Sequence, residues 1–229
     1  MKIQVLLEMQ AGSLLVGWSV GTFVLFPKHV LRKRMKTIRA ITLFMFTMMM
    51  LSPASNMRAD LQGERPAKWA QPVMMEGVPN LHRVSEGLYR SAQPTAEGMR
   101  ILKNMGVKTI VNLRSFHSDR DEIGSTGLAY EPIDMKAWHP EEKEIVRFLQ
   151  IVANPKRTPV LVHCQHGADR TGTMSAIYRI AIQGWSKEEA IKEMTEGGFG
   201  SHGAWANLTR WVNKLDVGKI KRQAGIGST

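Results

Sequence analysis

Short apolar runs and amphipathic segments alternate in a regular order along the last two thirds of the chain. Runs rich in β-branched residues predict strands, because such side chains suit a pleated, buried surface. A further run at 82–91 has Glu86-Gly87 at its centre, which predicts a hairpin. The other predicted strands cover residues 108–113, 128–133 and 159–163.

The segments between these strands carry helical periodicity with identifiable start and stop signals. Thr95 is placed to cap a helix that Gly106 ends, and Ser186 with Glu189 forms a capping box. The predicted helices cover residues 95–104, 140–153, 171–182, 186–196 and 204–215. Because strands alternate with helices, we expect an α/β domain whose mostly parallel central sheet is flanked by helices.

Composition sets the predicted boundaries of that domain. Residues 60–79 are polar and contain three prolines, which predicts a linker. The folded domain is expected to cover residues 80–217. Residues 218–229 lack a clear periodic pattern and are predicted to be a flexible tail.

The start of the chain has the organisation of a targeting segment. A basic stretch at 32–39 precedes twelve apolar or weakly polar residues at 40–51, and Ser52 and Ala54 follow at cleavage-site spacing. This order predicts a signal peptide at 35–59, and therefore export, with a membrane anchor as the alternative. Residues 1–34 are then either an over-extended start or a weak membrane segment, helical over 11–26. A tethered cytosolic protein is the remaining reading.

Composition narrows the function classes. With 43% apolar and 22% charged residues among 229, the chain is not wholly disordered. Its single cysteine excludes internal disulfides and cysteine cages for metals. Its histidines show no metal-binding spacing, so we predict no metal and no cofactor.

The net charge of +11 is unevenly distributed. Residues 1–59 contain eight Lys or Arg against the single acid Glu8, a net +7, whereas residues 60–229 carry only +4. No basic stripe interleaved with aromatic residues appears, so nucleic-acid binding is not expected. A mild positive excess suits an anionic small substrate.

The candidate chemistry lies in residues 163–172, HCQHGADRTG, here called the anion loop. The loop joins a predicted buried strand to a helix start, where backbone N–H groups and the helix dipole favour an anion. A cysteine in that position has a stabilised thiolate and becomes nucleophilic. Arg170, six residues after Cys164, supplies a guanidinium fork that can grip two phosphate oxygens. Gly167 lets the loop curl, and Gly172 lets the helix start pack closely.

This C-x5-R loop resembles the signature of cysteine-dependent protein tyrosine and dual-specificity phosphatases. Upstream, residues 80–94 (NLHRVSEGLYRSAQP) and 106–114 (GVKTIVNLR) are similar to the atypical dual-specificity group found in plants and fungi and to its bacterial relatives. The similarity covers residues 78–215. It implies a metal-free phosphomonoester hydrolase with a phosphocysteine intermediate, acting on phosphorylated protein or on a small phosphate ester such as an inositol phosphate.

The resemblance also implies residue roles. Cys164 is the nucleophile, Arg170 binds phosphate, and Thr171 can donate its hydroxyl to the departing sulfur. His163 is inferred to brace the loop from behind as structural support. The remaining predicted substrate-binding residues are Gln165, His166, Gly167, Ala168 and Asp169.

The general acid is left open between three residues. Asp134 lies thirty residues before Cys164, as the acid of this superfamily often does. Asp169 is a rival, because the similar myotubularins carry Asp at that loop position. His139 is a weaker third candidate, whereas His202 and Arg114 are interpreted as an ordinary loop histidine and a surface arginine.

Two other function classes remain as alternatives. A phosphate-binding pseudo-phosphatase would hold a ligand without turnover, but the intact Cys164 and Arg170 argue against it. A thiol-dependent arsenate reductase needs a resolving thiol that this chain lacks. A sulfurtransferase needs none, although the run Arg170-Thr171-Gly172 suits it poorly.

Overall fold

A computed structural model describes residues 14–19, 22–27, 65–203 and 206–227, and the chain divides into two compact units, residues 1–63 and 64–229. In the first unit, β1 (Leu14–Ser19) pairs with β2 (Thr22–Pro27) in an antiparallel hairpin. The helix expected over 11–26 is therefore wrong; Val, Phe and Trp in this stretch favour strand. The signal peptide predicted at 35–59 lies outside the described residues.

No helix among the described residues is both long enough and apolar enough to cross a bilayer.

The second unit is built on a six-stranded sheet with the order β3-β4-β5-β8-β6-β7. Strands β3, β4 and β5 pair antiparallel, and the four strands from β5 to β7 pair in parallel. The mostly parallel sheet is thus confirmed, as is the hairpin over 82–91. The strands are β3 (Gln71–Pro72), β4 (His82–Arg83), β5 (Leu88–Ser91), β6 (Thr109–Asn112), β7 (Ala129–Pro132) and β8 (Val160–His163).

The strand register brings four strand ends to one edge of the sheet. His163, the last residue of β8, lies opposite Ser91 of β5 and Asn112 of β6, and Asn112 lies opposite Pro132 of β7. Because these strands are parallel, the loops that follow them all emerge at the same carboxyl edge. Strand β8 lies inside the sheet and is fully buried, so the anion loop begins at a buried point of that edge.

Alternating side chains of the sheet feed two hydrophobic cores. In β8, Leu161 packs into one core, whereas Val160 and Val162 pack into the other. Since successive side chains of a strand point to opposite faces, both faces of the sheet are covered. The helices that cover them are α1 (Ala96–Asn104), α2 (Arg120–Ile123), α3 (Glu142–Val152), α4 (Asp169–Ala181), α5 (Lys187–Glu196), α6 (Ala206–Lys214) and α7 (Val217–Ala224).

Local capping chemistry explains where several helices begin. The hydroxyl of Thr95 accepts a hydrogen bond from the Gly98 amide at the start of α1. At the start of α5, Ser186 and Glu189 form the predicted capping box. Both predicted helix starts are confirmed, and α2 is a short helix that the sequence pattern did not indicate.

The carboxyl-terminal end is a helix, so the prediction of a flexible tail at 218–229 is wrong over most of its length. Asp216 caps α7 through the Lys219 amide, and Gly225 ends it with a φ of 71°. Ile220 is buried in the larger core, and Lys219 Nζ lies 2.6 Å from a carboxylate oxygen of Glu142 on α3. Val217, Ile220 and Ala224 recur at helical spacing, and these three apolar residues are enough to hold α7 on the domain because α3 packs over them.

The linker predicted at 60–79 is also wrong where the structure describes it. Ala70 and Val78 are fully buried, and Arg65 donates to the carbonyls of Ala70 and Gly197, each at 2.7 Å. The Ala70 amide donates to the buried carboxylate of Glu193 on α5. Prolines in this segment therefore mark an irregular chain that is packed on the domain, which begins before residue 80.

Candidate active site

The anion loop connects β8 to α4, and its predicted nucleophile is buried. Cys164 is only 3% exposed, and Ala168, at the N-cap of α4, makes no side-chain cap. The first amides of α4 therefore remain available to an anion, and the helix dipole reinforces them. Gly167 has a φ of 70°, and a Cβ there would lie 2.5 Å from backbone atoms of Ser91 and Ala92. Only glycine fits this turn of the loop.

Arg170 lies beside the loops that follow two neighbouring strands. Its Nη1 atom donates to the Leu113 carbonyl at 3.2 Å and to the Met135 carbonyl at 3.4 Å. The hydroxyl of Ser115 also donates to Met135. These contacts hold the guanidinium at the carboxyl edge of the sheet, beside the anion loop.

The hydroxyl of Thr171 is buried and makes no hydrogen bond within the part of the chain that the structure describes. The predicted bond to the Cys164 sulfur is therefore not formed in this structure. A buried hydroxyl without a partner carries a free-energy cost, which a sulfur or a phosphate oxygen in the loop would remove.

His163, the first residue of the anion loop, has its Nδ1 atom 3.4 Å from the Cys164 carbonyl and its Nε2 atom in a buried polar network. Its Nε2 atom donates to Asp119 at 2.7 Å, and both side chains are completely buried. Oδ1 of Asp119 also accepts from Gln93 at 2.9 Å and from Asn112 at 3.1 Å. Burial raises the pKa of Asp119, but the hydrogen bonds from His163 and Gln93 outweigh it and leave that pKa lowered. The position of His163 behind the nucleophile suits a bracing role.

Asp169 is engaged by the loop that follows α5. One carboxylate oxygen accepts from the His202 backbone amide at 2.8 Å, and the other lies 2.7 Å from His202 Nδ1. The His202 ring also lies 5.7 Å from the ring of His166, which is exposed on the anion loop. His202, interpreted from sequence as an ordinary loop residue, thus borders the loop mouth.

Asp134 is exposed on the loop after β7, next to Met135, which contacts Arg170. Burial raises the pKa of Glu144, and the negative charges of Glu141 and Asp134 add to that shift. Asp134 therefore acts electrostatically on Glu144, at the start of α3. Gln165 is exposed at the mouth of the anion loop, and His139 is exposed beyond Asp134.

Three residues in the segment 88–114 take part in the site, although the sequence assigned no role to Gln93 or Arg90 and Arg114 was interpreted as a surface arginine. The backbone amide of Gln93 donates to the Gln165 carbonyl at 3.2 Å, and the side-chain oxygen of Gln93 accepts from Arg114 at 3.0 Å. Arg90 is fully buried and donates to the Gly167 carbonyl at 2.7 Å. The signal was present, since all three fall within the residues that carry the family resemblance.

One group among the described residues has metal-ligand chemistry. Atoms of His117, Asp119 and Glu122 lie within 4.8 Å of one another. His117 Nε2 lies 3.2 Å from Asp119 without making a hydrogen bond to it. Because the carboxylate of Asp119 already accepts from His163, Gln93 and Asn112, the cluster is accounted for by the network that braces β8.

A buried thiol, free helix-terminal amides and a guanidinium at one sheet edge can hold a tetrahedral anion and attack it. No metal or cofactor is needed for that step. Comparison with known proteins agrees with this chemistry. A family model described as "DSP-PTPase phosphatase fused to NAD+ Kinase" matches residues 76–207.

Individual relatives are similar over a larger share of this chain than the family model. The dual specificity protein phosphatase TpbA of Pseudomonas aeruginosa is 35% identical over 164 residues, 71% of this chain and 74% of that protein. Its crystal structure superposes with a TM-score of 0.63 and 34% identity, over 70% of this chain and 99% of that one.

A second solved relative is the catalytic domain of the PP-IP phosphatase SIW14 from S. cerevisiae, with 26% identity and a TM-score of 0.56. The superposition covers 64% of this chain and 92% of the SIW14 domain. The chain belongs to the dual-specificity phosphatase (DSP-PTPase) family of phosphatases.

Proposed function

We propose that this phosphatase hydrolyses phosphotyrosine in proteins outside the cytoplasm, with Cys164 as nucleophile and Asp134 as general acid. The observation that carries the proposal is the placement of Cys164 between a buried strand end and the uncapped start of α4, with Arg170 alongside.

The proposed reaction has two steps. The Cys164 thiolate attacks phosphorus, the phosphorus–oxygen bond of the ester breaks, and Asp134 gives its proton to the leaving oxygen. Water, deprotonated by the same carboxylate, then attacks the phosphocysteine and releases inorganic phosphate and the thiolate. Arg170 and the amides of residues 165–170 hold the phosphate oxygens through both steps, which stabilises the charge of the transition state.

Asp134 is favoured over Asp169 because of what each carboxylate contacts. Both oxygens of Asp169 are engaged by His202, whereas Asp134 is exposed on a loop beside Arg170. An exposed loop carboxylate can move to a leaving group when substrate binds, and apo distances do not exclude such an acid.

Two exposed aromatic side chains support an aromatic substrate. Phe116 is 94% exposed and Trp138 is 64% exposed, on the two loops whose carbonyls contact Arg170. Phe116 also has a φ of 61°, an uncommon conformation for a large side chain. The TpbA relative has been solved as a Cys-to-Ser variant in complex with pTyr, which supports the same substrate class.

The first experiment measures p-nitrophenyl phosphate hydrolysis by the full chain in EDTA, beside Cys164→Ser and Arg170→Lys. We expect turnover to survive chelation, to vanish with serine, and to fall by at least about 100-fold with lysine, which lacks the planar fork. Metal-dependent turnover that ignores Cys164→Ser would contradict the proposal.

A substrate panel then tests the substrate class. We expect kcat/KM for a phosphotyrosine peptide to exceed that for a matched phosphoserine peptide and for inositol polyphosphates. A Phe116→Ala variant should reduce this preference and leave inorganic phosphate inhibition unchanged. Preference for inositol polyphosphates would assign this chain the substrate class named for the SIW14 relative instead.

Export is proposed from the basic stretch, the apolar run at 40–51 and the cleavage-site residues Ser52 and Ala54. Mass spectrometry of the mature protein should find an amino terminus just after Ala54, and fractionation should place it outside the cytoplasm. Retention of residues 35–54 on a membrane fraction would indicate an anchor in place of a cleaved signal peptide.

A further inference from the structure

Arg90 is a charged side chain, on β5, that lies entirely inside the domain. Its Nη2 atom donates to the Gly167 carbonyl at 2.7 Å and to the Ala168 carbonyl at 3.4 Å. Its guanidinium carbon lies 3.6 Å from the centre of the Phe199 ring. Arg90 therefore touches the anion loop from the side opposite to Arg170, with a ring stacked beneath it.

The buried groups around Arg90 do not balance its charge. Arg65, Arg90 and Arg179 all act on the same carboxylate, Glu193. Arg179 binds Glu193 through two hydrogen bonds of 2.7 Å, and the Ala70 amide also donates to it. Within the described residues, three guanidinium groups thus share one carboxylate, and Arg90 has no hydrogen bond to any acid.

A buried charge that is not paired with an opposite charge is costly. Burial lowers the pKa of Arg90 to about 9, and the negative charges of Glu193 and of the Cys164 thiolate act against that shift. Besides Glu193, the Cys164 thiolate is therefore an anion whose charge acts on Arg90. His82, the other titratable neighbour, has a pKa lowered mainly by burial and in part by Arg90, which favours its neutral form.

We propose that Arg90 is a positioning residue of the phosphatase, which holds the Gly167 and Ala168 carbonyls turned away from the anion and stabilises the Cys164 thiolate from below. The inference rests on the proposed role of Cys164. With those carbonyls engaged by Arg90, the loop presents its amides to phosphate. The positive charge favours the ionised thiol, which is the attacking form. A substrate-contacting role is left to Arg170.

The test separates thiol ionisation from turnover. The rate of Cys164 alkylation by iodoacetamide, measured against pH in the full chain, gives the thiol pKa without catalysis. We expect Arg90→Met to shift this profile upward by about one pH unit and to lower kcat/KM for p-nitrophenyl phosphate by about 100-fold. Arg90→Lys keeps a charge but loses the fork, so it should restore much of the alkylation profile and only part of kcat/KM.

The matched control is Arg65→Met, which removes a half-buried guanidinium from the same cluster without touching the anion loop. It should change the rate of Cys164 alkylation and kcat/KM for p-nitrophenyl phosphate by less than about threefold each. Circular dichroism and a thermal melt establish that each variant is folded, and Arg90→Lys decides the question if Arg90→Met does not fold. A folded variant at position 90 with wild-type alkylation and wild-type kcat/KM overturns the inference. Absence of Cys164-dependent turnover in the unaltered protein would instead overturn the proposed function.

Discussion

Two aspartate–histidine pairs tie residues of the anion loop to the rest of the domain, with the same 2.7 Å separation and very different surroundings. Asp119 and His163 are completely buried behind the nucleophile, and two further side chains donate to the carboxylate. Asp169 and His202 lie in front, where the His202 side chain is 51% exposed. Distance alone would rank them equal.

Burial makes them unequal. A buried carboxylate and its histidine partner cannot exchange their hydrogen bond for one to water, so the loss of one member leaves the other unsatisfied. In the outer pair Asp169 is also buried, but the His202 side chain is half exposed, so water can replace that histidine and the net contribution of the pair is smaller. The inner pair is therefore expected to fix β8 and the direction of Cys164, whereas the outer pair attaches the loop at 197–203 to the start of α4.

The largest expected effect follows from Asp119→Asn. The change removes the charge that holds His163, so we expect the free energy of unfolding to fall by about 3 kcal/mol. Urea denaturation measures it, and Asp169→Asn is the control, with an expected loss of about 1 kcal/mol, because the asparagine oxygen can still accept from the His202 amide. Equal losses for the two variants would show that burial does not distinguish the pairs.

The proposed acid gives the next largest effect. Asp134→Asn should lower kcat for a phosphotyrosine peptide by about 100-fold, because the leaving phenoxide then receives no proton. The loss should be much smaller for p-nitrophenyl phosphate, whose leaving group needs less protonation. Asp169→Asn should not show this dependence on leaving group. If it does, and Asp134→Asn does not, the outer pair holds the acid.

The pH dependence of stability sharpens the contrast further. Because the pKa of Asp119 is lowered in the folded protein, its contribution is complete above the ordinary aspartate value of about 3.9 and is lost as pH falls through the folded value. Each unit of that difference is worth about 1.4 kcal/mol. The gap in stability between wild type and Asp119→Asn should therefore shrink below about pH 4. A gap that stays constant in acid would contradict an ionised Asp119.

The smallest effect is expected at the outer pair. His202→Ala should reduce the free energy of unfolding by about 0.5 kcal/mol, in line with exposed pairs. It should also speed limited proteolysis within 197–203, because the loop loses the side-chain bond to Asp169 and keeps only the bond from the backbone amide of residue 202. Mass spectrometry of the first fragments locates the cut. An unchanged cleavage rate would show that other contacts hold this loop.

The strand and helix pattern, the capping residues and the anion loop could all be predicted because each depends on residues close together in sequence. Thr95 and Ser186 cap helices that begin at the next residue. The errors at 60–79 and 218–229 have a different origin. Both segments look irregular or polar on their own, and they become ordered through α5 and α3, which lie far away along the chain.

The sequence by itself determined the nucleophile candidate, the guanidinium six residues later, and the α/β fold that places them between a strand and a helix. Those features follow from spacing, periodicity and local hydrogen bonding. Only the tertiary structure decided which charges surround them: Asp119 behind His163, His202 on Asp169, and Arg90 beneath Gly167. Electrostatic energies depend on distance and burial in three dimensions, and parallel strand pairing joins residues that no short-range pattern relates.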